Sequence, residues 1–317
     1  MAGPGRLSEA RARLLEPWVR DVPLLTEVPG PVLVACSGGA DSVALLALAA
    51  TVRSDVVAVH VDHGLRPGGA DEAAFVAAVA DRMGVPSERR VTIVAPGPNL
   101  EARARAARHA ALAEARESLG AATVALGHTA DDQAETVVLN LLRGSGSAGL
   151  GAMTARRGHV VRPLLGLRRT DTEAVCAAIG VEWFRDPTND DVNLRRNWVR
   201  HEVLLALSAG AARDLVPVLA RQAALLRSES DYLDELARAA WPPDAAITPA
   251  APLVALPEVL ARRAVRQWVG GPPPSAAEVD RILAVARGQV RATQLAGGRR
   301  VSRSGGVLVL TRASVTP

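Results

Sequence analysis

At 317 residues, with 49% hydrophobic but only 3% aromatic content, the chain is long enough for two packed domains whose cores must be built from Ala, Val and Leu. Its formal charge of +4 includes 37 basic side chains that are all arginine, so every cation of this set is permanently charged and suited to bidentate phosphate contact. No apolar run reaches the roughly 20 residues of a membrane span, the N-terminus lacks a signal-peptide apolar region, and Cys36 and Cys176 form no CxxC. Membrane, secreted disulfide-rich and cysteine-metal classes are thereby set aside, and a cytoplasmic protein with no membrane partner is expected.

An amphipathic helix is predicted over 8–20, followed by a Pro-rich entry. Short Val-rich runs then alternate with longer Ala-Leu helices. Strands are expected at Val32–Ala35, Val56–Val61, Val91–Val94, Thr123–Gly127 and Val160–Leu164, with helices from Ser42, Ala70, Leu100, Ala130 and Thr170. This alternation predicts an α/β domain over 1–205, a parallel sheet with helices on both faces that binds ligands beyond the carboxyl ends of its strands. A helix is expected to begin near Asn197. Residues 206–317 read as a smaller, mainly helical domain with Pro-rich linkers at 241–243 and 272–274, ending in a hairpin of Arg299–Arg303 and Val307–Thr311 around Gly305 and Gly306.

The first chemical constellation is Ser37-Gly38-Gly39-Ala40-Asp41-Ser42, between a buried strand and a helix start. Two glycines let the backbone approach an anion, two hydroxyls flank it, and the N–H groups of the new helix point at it. Asp41 would repel a bare phosphate, which suggests Mg²⁺ between them. The spacing is not that of a Walker A loop, and there is no lysine. The second constellation is Gly127-His128-Thr129-Ala130-Asp131-Asp132-Gln133-Ala134-Glu135-Thr136, where Asp132 and Glu135 share a helix face. Paired acids there suit a metal or a cationic substrate, or simply cap the helix. Arg105, Arg108 and His109 share one face of the helix from Leu100. Arginines also cluster at 156–157, 168–169, 195–200 and 299–303, either as nucleic-acid contacts or as solvated faces. His60 and His63 read equally well as strand-end structural residues, and His159 and His201 carry no motif.

The Ser-Gly-Gly-x-Asp-Ser loop resembles the pyrophosphate loop of ATP pyrophosphatases, of adenine nucleotide alpha hydrolase-like (PP-loop) fold. The segment from Gly127 to Gly146, GHTADDQAETVVLNLLRGSG, is similar to the pattern of isoleucine-tRNA lysidine synthetases. So are His60-Val61-Asp62-His63-Gly64-Leu65-Arg66, Asn99-Leu100-Glu101-Ala102-Arg103 with Arg105, Arg108 and His109, then Arg162-Pro163-Leu164-Leu165, Asp186-Pro187-Thr188-Asn189 and Arg196-Asn197-Trp198-Val199-Arg200-His201. Departures from the family are His109, where Tyr is usual, and a short C-terminal part.

The resemblance implies a ligase that adenylates the C2 oxygen of the wobble cytidine in an isoleucine tRNA with a CAU anticodon. Free L-lysine then displaces AMP to give lysidine, which pairs with A rather than G and changes codon recognition from AUG to AUA. By the same resemblance, Ser37, Gly38, Gly39, Ala40, Asp41, Ser42 and His128 contact ATP, and Asp41 and Asp132 hold Mg²⁺. Arg108 stabilises charge on the adenylate, Asp132 and Glu135 take the lysine ammonium groups, and the catalytic set is Asp41, Arg108, Asp132 and Glu135. Arg195, Arg196, Arg200, Arg299, Arg300 and Arg303 are expected to contact tRNA. A tRNA thiolase of the same superfamily is the nearest alternative and is disfavoured by the lack of paired cysteines. The other alternative is a non-catalytic nucleotide-dependent RNA-binding protein. The sequence leaves monomer and homodimer both open.

Overall fold

The computed structural model describes residues 9–64, 69–94, 97, 100–185, 191–242 and 247–311. It divides into one compact unit over 1–225 and another over 226–317. The division falls twenty residues beyond the sequence boundary at 205, because the helical segments after Arg195 pack on the first unit's own helices.

In the first unit, α1 (Glu9–Val19) and α2 (Leu24–Glu27) precede β1 (Val32–Ala35), α3 (Ala40–Val52), β2 (Val56–Asp62), α4 (Gly69–Arg82) and β3 (Ser87–Val91). Then come α5 (Leu100–Ser118), β4 (Thr123–Ala125), α6 (Ala130–Leu142), α7 (Ser147–Leu150), β5 (Arg156–Arg157), β6 (Val160–Val161) and α8 (Arg169–Ala178). Beyond them α9 (Arg195–Trp198), a π-helical turn (Val199–Val203) and α10 (Leu204–Gly210) lead to the long α11 (Val216–Ala240). The sheet order is β3-β2-β1-β4-β6-β5, parallel except for β5.

Strand periodicity assigns the two faces. Val32 and Val34 of β1 join the core that contains α3 and α8, whereas Leu33 points the other way, with Val59 and Val124, onto Leu112 and Ala115 of α5. The middle of α3, Val43 to Ala49, is wholly buried, so this helix is apolar on every side, as a helix roofed by other helices must be.

The expected strand at Val91–Val94 lies instead at Ser87–Val91. As an edge strand it needs no apolar run: Arg89 pairs with Asp62 at 2.6 Å, while Ile93 beyond its end is 89% exposed. The expected strand at Val160–Leu164 shrinks to two residues, since Pro163 supplies no N–H to a ladder.

The second unit holds the end of α11, then β7 (Ile247–Pro249), α12 (Ala250–Ala255), α13 (Glu258–Val269), α14 (Ala276–Ala286), β8 (Ala292–Gln294), β9 (Arg300–Ser304) and β10 (Val307–Thr311). The expected hairpin is the centre of a four-stranded sheet ordered β7-β10-β9-β8. Trp241 and Trp268 meet edge-to-face at 5.5 Å inside the core, and the Trp241 indole N–H donates to the Pro249 carbonyl at 2.9 Å. Trp241, in the first stretch expected to be a linker, is itself buried in this core, and the stretch at 272–274 lies between α13 and α14, both packed in it.

β1 has β2 on one side and β4 on the other, so the chain leaves the sheet in opposite directions at their carboxyl ends and opens a crevice between them. Gly127 closes this crevice to contact distance. A Cβ there would lie 2.9 Å from the Asp41 carbonyl oxygen and 3.2 Å from the Ser42 nitrogen, both backbone atoms. Gly127→Ala is therefore expected to force the start of α3 away from β4, lowering stability by about 1–3 kcal/mol and weakening ATP binding in a titration. Unchanged melting temperature and ATP affinity would refute the close approach.

Candidate active site

The loop after β1 is braced by its own hydroxyls. Ser42 Oγ accepts from the Ser37 N–H at 3.1 Å, donates to the Gly39 carbonyl at 2.9 Å and lies 3.2 Å from Ser37 Oγ. Ser42 is buried while Ser37 is exposed, which leaves Ser37 and the first N–H groups of α3 to meet a ligand. Gly38 adopts φ +87°, a left-handed conformation, and a Cβ there would stand 3.3 Å from Phe75. Ala40 opens α3, and Cys36, just before the loop, is buried with its thiol pKa pushed up by burial.

Two helix starts converge here, each bearing a carboxylate in its first turn: Asp41 on α3 and Asp132 on α6. Asp132 also accepts the Thr129 N–H at 2.9 Å in a capping box, which fixes its orientation. Arg169, at the start of α8, spans the acids: its guanidinium is 3.5 Å from Asp41, 3.7 Å from Asp132 and 3.9 Å from Glu135. Thr172, one turn further, donates to Asp41 at 2.5 Å. Glu135 is fully buried, and its two oxygens accept from Arg196 Nε and Arg200 Nε at 2.6 Å each; Arg196 also reaches Asp132 at 3.1 Å.

Burial raises the Asp41 pKa and outweighs the opposing pull of Arg169 and Thr172. At Asp132 burial acts in the same upward direction, but Arg196, His128 and the Thr129 N–H overcome it and hold the pKa below the usual carboxylate range. Asp131 turns aside: it accepts from Arg168 Nε at 3.1 Å and from the Arg169 N–H at 2.8 Å, and so fastens α6 to the start of α8.

Most of the residues expected from sequence therefore meet at the ends of β1 and β4, but several take different partners. Arg196 and Arg200, expected on tRNA, are ion-paired with Asp132 and Glu135, so the carboxylates expected to await a lysine ammonium are already countered. Arg195 is exposed. Arg299 is buried, with Nε donating to the Ala296 carbonyl at 3.1 Å, and is no surface phosphate contact; Arg300 is exposed and Arg303 half-buried. Arg108 is half-buried on α5, its pKa lowered by burial and by Arg105 and Arg196. His60 is buried, with Nδ1 3.0 Å from the Cys36 carbonyl oxygen, the structural alternative weighed from sequence. Leu65, Arg66, Asn99, the Glu101 side chain and the turn Asp186-Pro187-Thr188-Asn189 lie outside the described residues.

Arg169, which the sequence offers as a nucleic-acid contact or a solvated face, is held on the carboxylates instead, and Thr172 has no sequence reading at all. The one sequence signal for Arg169 is its place in the basic pair Arg168-Arg169, one turn after the Arg162-Pro163-Leu164-Leu165 motif.

The donor set suits a magnesium ion shared with phosphates, which takes one or two carboxylates rather than an all-protein cage. Asp41 and Asp132 are hard oxygen donors reached by one Arg169 guanidinium, and among the described residues no group of three His, Cys, Asp or Glu side chains forms such a cage.

Residues 13–207 match the family model described as a PP-loop domain. A tRNA(Ile)-lysidine synthase of Deinococcus deserti is 39% identical over 287 residues, covering 88% of this chain and 52% of that protein, so the chain spans about half of that relative's length. The tRNA(Ile)-lysidine synthase of Thermobifida fusca is 39% identical over 303 residues, covering 88% of this chain and 91% of that protein. Among solved structures, a U34-tRNA thiolase of Methanococcus maripaludis with its 4Fe-4S cluster superposes with a TM-score of 0.55 at 16% identity, over 69% of this chain and 80% of that one, a likeness of fold. No described helix is long and apolar enough to cross a membrane.

His128 makes the electrostatics testable. Burial, with Arg162, Arg105 and Arg108 nearby, lowers its pKa to about 3, against the pull of Asp132. The native state thus keeps His128 neutral where the unfolded chain, titrating near 6.5, takes up a proton. The stability it contributes is present above about pH 6.5 and is lost as pH falls from there toward 3, at up to about 1.4 kcal/mol per pH unit. Urea unfolding of His128→Gln between pH 7 and 4 should show a shallower loss than the parent; an identical slope would contradict the assignment.

Proposed function

The chain belongs to the tRNA(Ile)-lysidine synthase family, and from that membership we propose that it joins free L-lysine to C2 of the wobble cytidine of isoleucine tRNA with a CAU anticodon, cleaving ATP to AMP and pyrophosphate. The observation that carries the reading is the meeting of the Ser37–Ser42 loop with the acidic start of α6 in one crevice.

The chemistry runs in two steps. The cytidine C2 oxygen attacks the α-phosphorus, forming an O–P bond as pyrophosphate departs. The lysine side-chain amine then attacks C2, the C–O bond breaks, AMP leaves, and the new nitrogen gives up a proton. A cytidine carbonyl is a poor electrophile until its oxygen has become part of a leaving group, which is why ATP is needed.

In this proposal Ser37, Gly38, Gly39, Ala40 and Ser42 cradle the phosphates with the N–H groups of α3. Asp41 and Asp132 hold magnesium, which when bound neutralises charge on the departing pyrophosphate. Arg108 offsets charge on the adenylate, and His128, kept neutral, contacts the nucleotide. A lysine ammonium reaching Asp132 or Glu135 exchanges with Arg196 or Arg200, so these arginines set the strength of lysine binding.

On the RNA side, Arg195, Arg300 and Arg303 serve as phosphate contacts. The base reaches the crevice because an anticodon loop gives up a stacked nucleotide at modest cost. The setting we propose is cytoplasmic. A sulfur relay is disfavoured by the thiols themselves: burial raises the Cys36 pKa, and it pushes Cys176 up to about 12, so neither is a thiolate at neutral pH.

Radiolabelled lysine incubated with the protein, ATP and this tRNA should enter the RNA; ATP-dependent RNA binding without label would favour the non-catalytic alternative. Asp41→Asn should lower incorporation at least about a hundredfold. Because its folded pKa is raised, the Asp41 charge opposes folding at neutral pH, so the variant should melt no lower than the parent. Near-normal incorporation, or a lower melting temperature, would count against the assignment.

A further inference from the structure

Beside the carboxylates stands a group of charges of the opposite sign. Arg105, Arg108 and His109 lie on α5, His128 follows β4 and Arg162 follows β6. β4 and β6 are adjacent parallel strands, with the Leu126 N–H donating to the Val161 carbonyl at 2.9 Å, so His128 and Arg162 leave neighbouring strand ends, and α5 packs on β4 through Leu112 and Ala115 against Val124. Burial lowers the pKa of both Arg108 and Arg162.

Three of their buried nitrogens, Arg108 Nε, Arg162 Nε and His128 Nδ1, have no hydrogen-bond partner among the described residues. Arg162 is the most enclosed, at 8% exposure. Its Nη1 donates to the Thr154 carbonyl at 2.9 Å, which fixes the guanidinium and leaves Nε unsatisfied. The carboxylate coupled to Arg108 and His128 is Asp132, which is already paired with Arg196.

Gathering like charges in a desolvated place and leaving their donors unmade is unfavourable for folding. Such an arrangement persists where an anion completes it. Guanidinium forks match the multiple oxygens and charge of a phosphate better than a single carboxylate does.

We propose that Arg162, with Arg108 and His128, forms a buried phosphate subsite beside the carboxylate cluster, in which Arg162 is a ligand-binding residue. The inference rests on the ligase reading, because that reaction brings two phosphate-bearing molecules to the crevice, the nucleotide and the RNA strand.

The test uses the full chain with Arg162→Gln and Arg162→Lys, both checked for cooperative melting. Binding of ATP and of a labelled CAU anticodon stem-loop is measured, together with the lysine KM in the incorporation assay. A charge-assisted contact implies that R162Q weakens one of the two phosphate ligands by roughly ten- to a hundredfold, with partial recovery in R162K, which restores charge without the fork.

If the RNA supplies the phosphate, a methylphosphonate 5′ to the target cytidine weakens binding to the parent but not to R162Q. If the nucleotide supplies it, ATP affinity falls instead. The subsite is overturned if both affinities stay within twofold, or if the lysine KM alone moves. Should R162Q fail to fold, R162K is held to the same criteria. Lysine incorporation by the parent protein reports on the ligase reading separately.

Discussion

Glu135 is a carboxylate with no exposure to water, and an isolated charge in that position would be untenable. Arg196 and Arg200 make it tenable by donating to its two oxygens, with Arg169 a little further off. Other parts of the crevice follow from this pairing. It draws the segment beginning at Arg195 onto α6, brings Arg196 onto Asp132 as well, and helps hold that carboxylate ionised despite its burial. Removing the Glu135 charge would strand the cations gathered around it, the expensive way to break a buried pair. The three arginines are thus part of the site's architecture before they are anything else.

The crevice also depends on what is missing at one position. Without a side chain at Gly127, the backbone after β4 lies against the backbone of Asp41 and Ser42, and the starts of α3 and α6 share one space. The start of α3 and two first-turn carboxylates then face the same volume, while the start of α6 is capped, its Thr129 and Ala130 N–H groups donating to Asp132 and to the Leu167 carbonyl. Such a volume repels a free phosphate at its acidic edge and attracts it at the start of α3, the polarity that suits a triphosphate carrying a divalent cation.

Much of this was legible in the sequence because it is local. The glycines and hydroxyls of the Ser37–Ser42 loop, the three-residue step from Asp132 to Glu135 and the shared face of Arg105, Arg108 and His109 are all consequences of spacing along one element. The ion pairs were not legible, because Arg196 and Glu135 are separated by 61 residues and no periodicity links them. The same applies to Thr172 and Asp41, 131 residues apart. Strand β3 was misplaced because an edge strand is recognised by its partner, here β2, rather than by its own hydrophobicity. Nor does sequence give a sign that Arg299, expected on tRNA, is buried with its Nε donating to the Ala296 carbonyl.

The two ends of the six-stranded sheet share a property that bears on how the protein behaves in crowded solution. β3 closes one end with Glu88, Arg89 and Arg90, and β5 closes the other with just Arg156 and Arg157. The interior strands are Val-rich and would be efficient templates for strand addition if laid bare. A second chain approaching either margin must instead strip water from guanidinium groups, and at the β5 margin it finds only two residues of ladder to bond. The six-stranded sheet is therefore self-limiting at both margins: arginines stand where its backbone would otherwise be offered to another strand.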